Sequence, residues 1–165
     1  MAFTFNVCEV FQMAEQIERK AAVFCRKVVE SFEYPKTRKV LLYLADREEK
    51  HADVFAAIRK GLSERECPPT AFDPDNEEGL YLQAMADNHV FNVKDDTCRY
   101  LTGDESHQCI LKTAVNLEKE ALAFFLGLKA AVPKQADKDK VEEIIKAKMK
   151  HIGLPNQELQ TETNK

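Results

Sequence analysis

The chain has no tryptophan, few glycines and no Cys-x-x-Cys pair, and each gap removes a class of protein. Five glycines among 165 residues, with 32% charged residues, suit a soluble helical protein. The five cysteines, Cys8, Cys25, Cys67, Cys98 and Cys109, lack the closely spaced thiolates that close a zinc ribbon or a rubredoxin-like iron centre. Scattered reduced thiols are the expectation, with a Cys67–Cys98 pair as the alternative; Cys25 lies on a helical stripe and reads as a small buried apolar residue. No apolar run approaches the length of a bilayer span, so no membrane span is expected. The opening residues Met1 to Asn6 have neither the basic nor the apolar region of a signal peptide, which makes the cytoplasm the default expectation. A formal charge of -4, without a basic run interleaved with aromatics, argues against nucleic acid or an anionic membrane as partner.

What the chain does have is helical periodicity, in four segments. The first runs from about Phe5 to Phe32, with Val10 or Phe11, Ala14, Glu18, Ala21, Cys25 and Val28 on one three-four stripe. Tyr34-Pro35 breaks it and opens a second helix, from about Lys36 to Arg59, for which Gly61 supplies a left-handed stop. Leu41, Leu44, Glu48, His51, Phe55 and Ile58 share its stripe. A carboxylate and an imidazole one turn apart inside an apolar face are costly to bury unless something compensates them, and a metal ion would. Taken alone, the segment also allows Glu48 to belong to the solvated Arg47, Glu49, Lys50 face.

About forty turn-rich residues follow, containing a short periodic piece from Glu78 to about Val90 that predicts a helix across one end of a bundle. Helical periodicity resumes after Asp104, the expected N-cap, and runs to about Ala131, with Leu111, Ala114, Glu118, Ala121, Phe125 and Leu128 aligned. The last helix is expected from Asp137 or Asp139 to Gly153, with Val141, Ile144, Lys148 and His151 on its stripe and Pro155 beyond its end. The single domain then spans 1-155, and 156-165 is a loose polar tail.

The halves repeat weakly. Ala14 to Phe24 aligns with Ala114 to Phe124, each placing a glutamate six residues before a phenylalanine, and Glu48-Glu49-Lys50-His51 aligns with Lys148-Met149-Lys150-His151. Each half is a helical hairpin with its polar core residues at matching heights.

This constellation resembles the ferritin-like superfamily, and within it the rubrerythrin family in its short form without a rubredoxin domain. The resemblance covers residues 5 to 152, including Tyr81-Leu82-Gln83-Ala84 to His89-Val90-Phe91. It implies an all-α, ferritin-like four-helix bundle made of two antiparallel hairpins with a long crossover. Such bundles take one Glu from each of two helices and a Glu-x-x-His from each of the others. The pattern places Glu18, Glu48, His51, Glu118 and His151 at metal-ligand positions, and implies non-haem iron as the cofactor. Lys148 stands where the second Glu-x-x-His has its glutamate, and a protonated lysine cannot ligate. Three glutamates and one lysine sum to minus two, which balances one divalent ion, whereas four carboxylates balance two.

Two outcomes follow for Lys148. It could pair with Glu118 as an internal cation, or the helix could shift register or Lys148 point outward, leaving other ligands to complete two metal sites. Val115 and Ala121, one turn either side of Glu118, offer no extra carboxylate, and no thiolate iron centre is present to deliver electrons. The resemblance implies oxidoreductase chemistry on peroxide, oxygen or ferrous iron, with a separate electron donor, in a homodimer. The alternative is a metal-poor bundle that acts as a dimeric scaffold or partner-binding module. His89 and His107 are read as surface or capping residues.

Overall fold

The computed structural model describes residues 7–62, 104–132 and 134–163. Its elements are four helices: α1 (Val7–Ser31), α2 (Pro35–Gly61), α3 (His107–Ala131) and α4 (Gln135–Thr163). The expected crossover helix, Cys67, Cys98 and His89 lie outside the described residues. Among the described residues no helix is long and apolar enough to cross a membrane.

Local chemistry explains most of the helix ends. Pro35 starts α2 behind an extended Tyr34 (φ -107, ψ 100), where a missing N–H costs nothing because the first turn has no acceptor for it. Gly61 stays helical without a left-handed φ, contrary to expectation; the extended Leu62 closes the end by donating its N–H to Arg59 O at 3.2 Å. α3 is capped by Ser106 rather than Asp104, since the Ser106 hydroxyl is the one that accepts from Cys109 N, at 3.2 Å. α4 starts at Gln135, ahead of the expected aspartates, and the Gln135 side chain donates to Asp139 at 2.8 Å.

The largest departure is at the other end of α4. The helix does not stop at Gly153 but passes through Pro155 to Thr163. An interior proline forfeits one helical hydrogen bond and costs about 3 kcal/mol. Here Pro155 is buried one turn beyond His151, on the same inward stripe, and Glu158 reaches Lys36 at 3.6 Å across the bundle. Tertiary packing thus overrides a local stop signal.

α1 lies along α2 and α3 along α4, and the two hairpins meet through α1 with α3 and α2 with α4. Their core is apolar and aromatic: Phe11, Phe55, Phe124 and Phe125 are fully buried, with the Phe55 and Phe125 ring centroids 5.1 Å apart. Cys25 is buried and Cys109 exposed, and neither is in a disulfide. Cys8 is disulfide-bonded, which corrects the expectation of reduced thiols. No closely spaced cysteine beside it in the sequence reveals this.

Candidate metal centre

Each of the four helices contributes to one polar cluster in the middle of this core. Glu18 comes from α1, Glu48 and His51 from α2, Glu118 from α3, and Lys148 and His151 from α4. None is on the surface: Glu18, Glu48 and Lys148 are 0% exposed and the other three at most 7%. Glu48 is therefore a core residue and no part of the solvated face. Lys148 points inward too, which overturns the outward-pointing alternative.

The Lys148 ammonium organises the cluster. Its Nζ lies 2.9 Å from Glu18 Oε2 and 3.1 Å from Glu118 Oε2, and it donates a hydrogen bond to Glu48 Oε2. One ammonium is thus hydrogen-bonded to Glu48 and in ion-pair contact with Glu18 and Glu118. The Phe125 ring stands 5.9 Å away and keeps the charge dry. The sequence expectation pairs the lysine with Glu118; the structure adds Glu18 and Glu48 to its partners.

Burial pushes the Lys148 pKa down, but the charges of Glu118, Glu18 and Glu48 outweigh it and hold the group well above the usual lysine range. Burial likewise pushes Glu48 up, yet the Lys148 charge and the polar side chains of Glu18, His151 and His51 beside it hold it well below the usual carboxylate range. Glu18 goes the other way: burial, then the neighbouring Glu48 charge, push it well up against the pull of Lys148. Burial also raises Glu118, with Lys148 opposing and the Glu48 charge reinforcing it. The ionised heart of the cluster is the Glu48–Lys148 pair, and Glu18 is the carboxyl readiest to keep a proton.

The two histidines flank the other side of Glu48. His151 Nδ1 is 2.8 Å from Glu48 Oε1, and His51 Nδ1 is 3.7 Å from Glu48 Oε2, with the two rings stacked at 5.4 Å. Despite this proximity, both Nδ1 atoms and Glu48 Oε1 are buried without a hydrogen-bond partner. Buried polar atoms are rarely left so, and three that converge point to a missing shared partner.

A crystal structure of a candidate ferritin-like diiron-carboxylate protein from Thermotoga maritima is similar over 95% of this chain and 96% of its own, with a TM-score of 0.67 and 21% identity. The fold is ferritin-like. No protein-family model and no curated protein matches the chain.

In this ferritin-like bundle the donor set decides what could be held. Two divalent ions do not fit, because the ammonium of Lys148 contacts all three carboxylates that would have to hold them. One ion does fit: the ligand atoms of Glu48, His51 and His151 lie within 4.8 Å of one another and are all buried. The structure therefore gathers all five residues expected as ligands, but divides them. Glu18 and Glu118 contact the lysine, while His151 faces the other oxygen of Glu48, and His51 Nδ1 lies 3.7 Å from Glu48 Oε2 and 3.8 Å from Glu18 Oε2. His107, expected at the surface or in a cap, begins α3 with its ring against Tyr34 at 5.3 Å.

Proposed function

We propose that this protein binds one non-haem iron, or a similar divalent ion, through Glu48, His51 and His151, and that the centre acts on oxygen or peroxide. The observation that supports it is the grouping of Glu48, His51 and His151, which are buried and whose ligand atoms lie within 4.8 Å of one another. Two imidazoles and one carboxylate form a donor set suited to ferrous iron with open positions. Bound there, iron would supply reversible one-electron chemistry with small oxidants.

The chain's own groups prepare that site. Glu48 is shared: Oε2 holds the Lys148 ammonium, which leaves Oε1 as the ligand atom and the carboxylate ionised. Lys148 supplies a built-in positive charge where a rubrerythrin-type bundle would place part of a second metal's shell. Glu18, raised by burial and by the Glu48 charge, keeps a proton more readily than Glu48 does. Phe55, Phe124 and Phe125 line the core around the cluster and exclude bulk water.

Electron supply would be external, and pairing of the bundle as a homodimer belongs to the same proposal. A disulfide at Cys8 suits an oxidising environment better than a reduced cytoplasm. The second reading is a metal-free dimeric scaffold or partner-binding module, and it draws on the same ammonium, since Lys148 already satisfies the carboxylates. Loading with ferrous iron under anaerobic conditions, followed by oxygen or peroxide, separates the two. The iron reading expects oxidant consumption that His51→Ala and His151→Ala abolish; a protein that takes up no iron and consumes no oxidant supports the scaffold.

A further inference from the structure

Between α2 and α4 runs an open groove of about 350 Å³, lined by Tyr43, Arg47, Glu143, Lys146, Lys150 and the edge of His151. We infer that this groove binds a small organic carboxylate, with Arg47 and Lys150 at its anionic end and the Tyr43 ring beneath its apolar end.

Arg47 carries the inference furthest. Its Nε is buried and has no hydrogen-bond partner, although the residue borders an open groove. Its guanidinium carbon stands 6.0 Å from the Tyr43 ring centroid, so the planar group is held by the aromatic rather than by an acid. Other arginines of the bundle are neutralised: Arg26 by Asp46 and Glu49, Arg19 and Arg59 by Glu15. A guanidinium whose donors are not used internally is matched in geometry by a carboxylate, which can take two parallel N–H bonds.

The other walls define the class more closely. Lys150 forms no ion pair among the described residues, whereas Lys146 is shared with Glu142 at 3.8 Å. Glu143 contributes a negative charge to the groove wall, which leaves a modest positive excess. That suits a monoanion better than a phosphate dianion, whose second charge Glu143 would repel. Tyr43 is 48% exposed, which provides an apolar platform for a planar ligand. The volume lies at the lower end of small-molecule sites.

The floor of the groove links it to the buried cluster. The Tyr43 and His151 rings meet edge to face at 6.2 Å, and His151 in turn stacks on His51. A ligand seated on Tyr43 therefore lies one ring away from the Nδ1 atoms described above. Carboxylate binding needs no metal, so it stands or falls separately from iron binding.

Calorimetric titration of the metal-free full chain with benzoate, and with benzamide as the uncharged control, tests the inference. Saturable binding of benzoate is expected, with benzamide at least tenfold weaker. Arg47→Gln and Lys150→Gln should each weaken benzoate at least tenfold while their circular dichroism stays that of the parent. Lys112→Gln, an exposed change on α3, should have no effect. In the parent protein, benzoate should also shift the His151 imidazole signals in a proton–carbon NMR spectrum. The inference is overturned by absent or non-saturable benzoate binding, by equal binding of benzamide, by full affinity in folded Arg47→Gln, or by inorganic phosphate binding more tightly than benzoate.

Discussion

The two hairpins are copies in outline that differ at one decisive point. A spacing of 100 residues relates Ala14 to Ala114, Glu18 to Glu118, Leu41 to Val141, Glu48 to Lys148 and His51 to His151, and every member of these pairs is buried. Only one pair changes the sign of a charge. Because the helices put these positions at the same height, Lys148 arrives among the carboxylates its counterpart Glu48 belongs to. One difference between the halves therefore sets a positive charge of the chain itself among the three carboxylates.

Making the halves alike breaks the comparison most severely. Lys148→Glu leaves four buried carboxylates and no ammonium, which should destabilise the metal-free protein by about 3–5 kcal/mol. It should also raise divalent metal content from one toward two per chain. Chemical denaturation with elemental analysis checks both, and an unchanged metal count would show that the lysine does not occupy the second position.

The hydrophobic counterparts give a milder test. Phe55 and Pro155 occupy corresponding buried positions in α2 and α4. Phe55→Ala should cost about 3–5 kcal/mol through cavity formation. Pro155→Ala should change stability by less than about 1.5 kcal/mol, because the recovered helical hydrogen bond offsets the lost ring. Equal losses in thermal denaturation would contradict the packing assigned to the end of α4.

The two α1 and α2 carboxylates should respond to pH in opposite senses. Glu48 is held below its ordinary value, so its contribution is present above the unfolded carboxylate pKa and is lost as pH falls through the folded value. Glu18 is raised, so its contribution is present below the unfolded pKa and is lost as pH rises through the folded value. In metal-free protein, Glu18→Gln should then cost more at pH 4 than at pH 8, and Glu48→Gln more at pH 8 than at pH 4. Urea unfolding at the two pH values reads the difference, and parallel shifts would sink the assignment. The smallest effect is expected outside the cluster: Arg59→Gln, which breaks a half-exposed pair with Glu15 at 2.8 Å, should lower the melting temperature by less than about 4 °C.

Much of this arrangement could be read from spacing alone. Three-four periodicity located the four helices, and the aligned Glu18, Glu118, His51 and His151 placed the polar cluster, because helical geometry turns sequence spacing directly into a shared face. The ends of α3 and α4 were less accessible, since Ser106 and Asp104 are both good caps and only packing shows that Pro155 is absorbed. The carboxylates around Lys148 were half visible. Sequence named the competitors for the lysine, but contact with all three depends on three other helices converging at one height. The Tyr43–Arg47 groove was hidden, because Arg47 sits among charged neighbours and reads as solvated until the buried, unpartnered Nε is seen.

The central claim is that Lys148 takes the place of one metal, so that the bundle holds a single ion. Anaerobic titration of the metal-free full chain with ferrous iron, followed by removal of unbound metal and iron analysis, tests it most directly. One iron per chain is the predicted result; two per chain, or none, would contradict it.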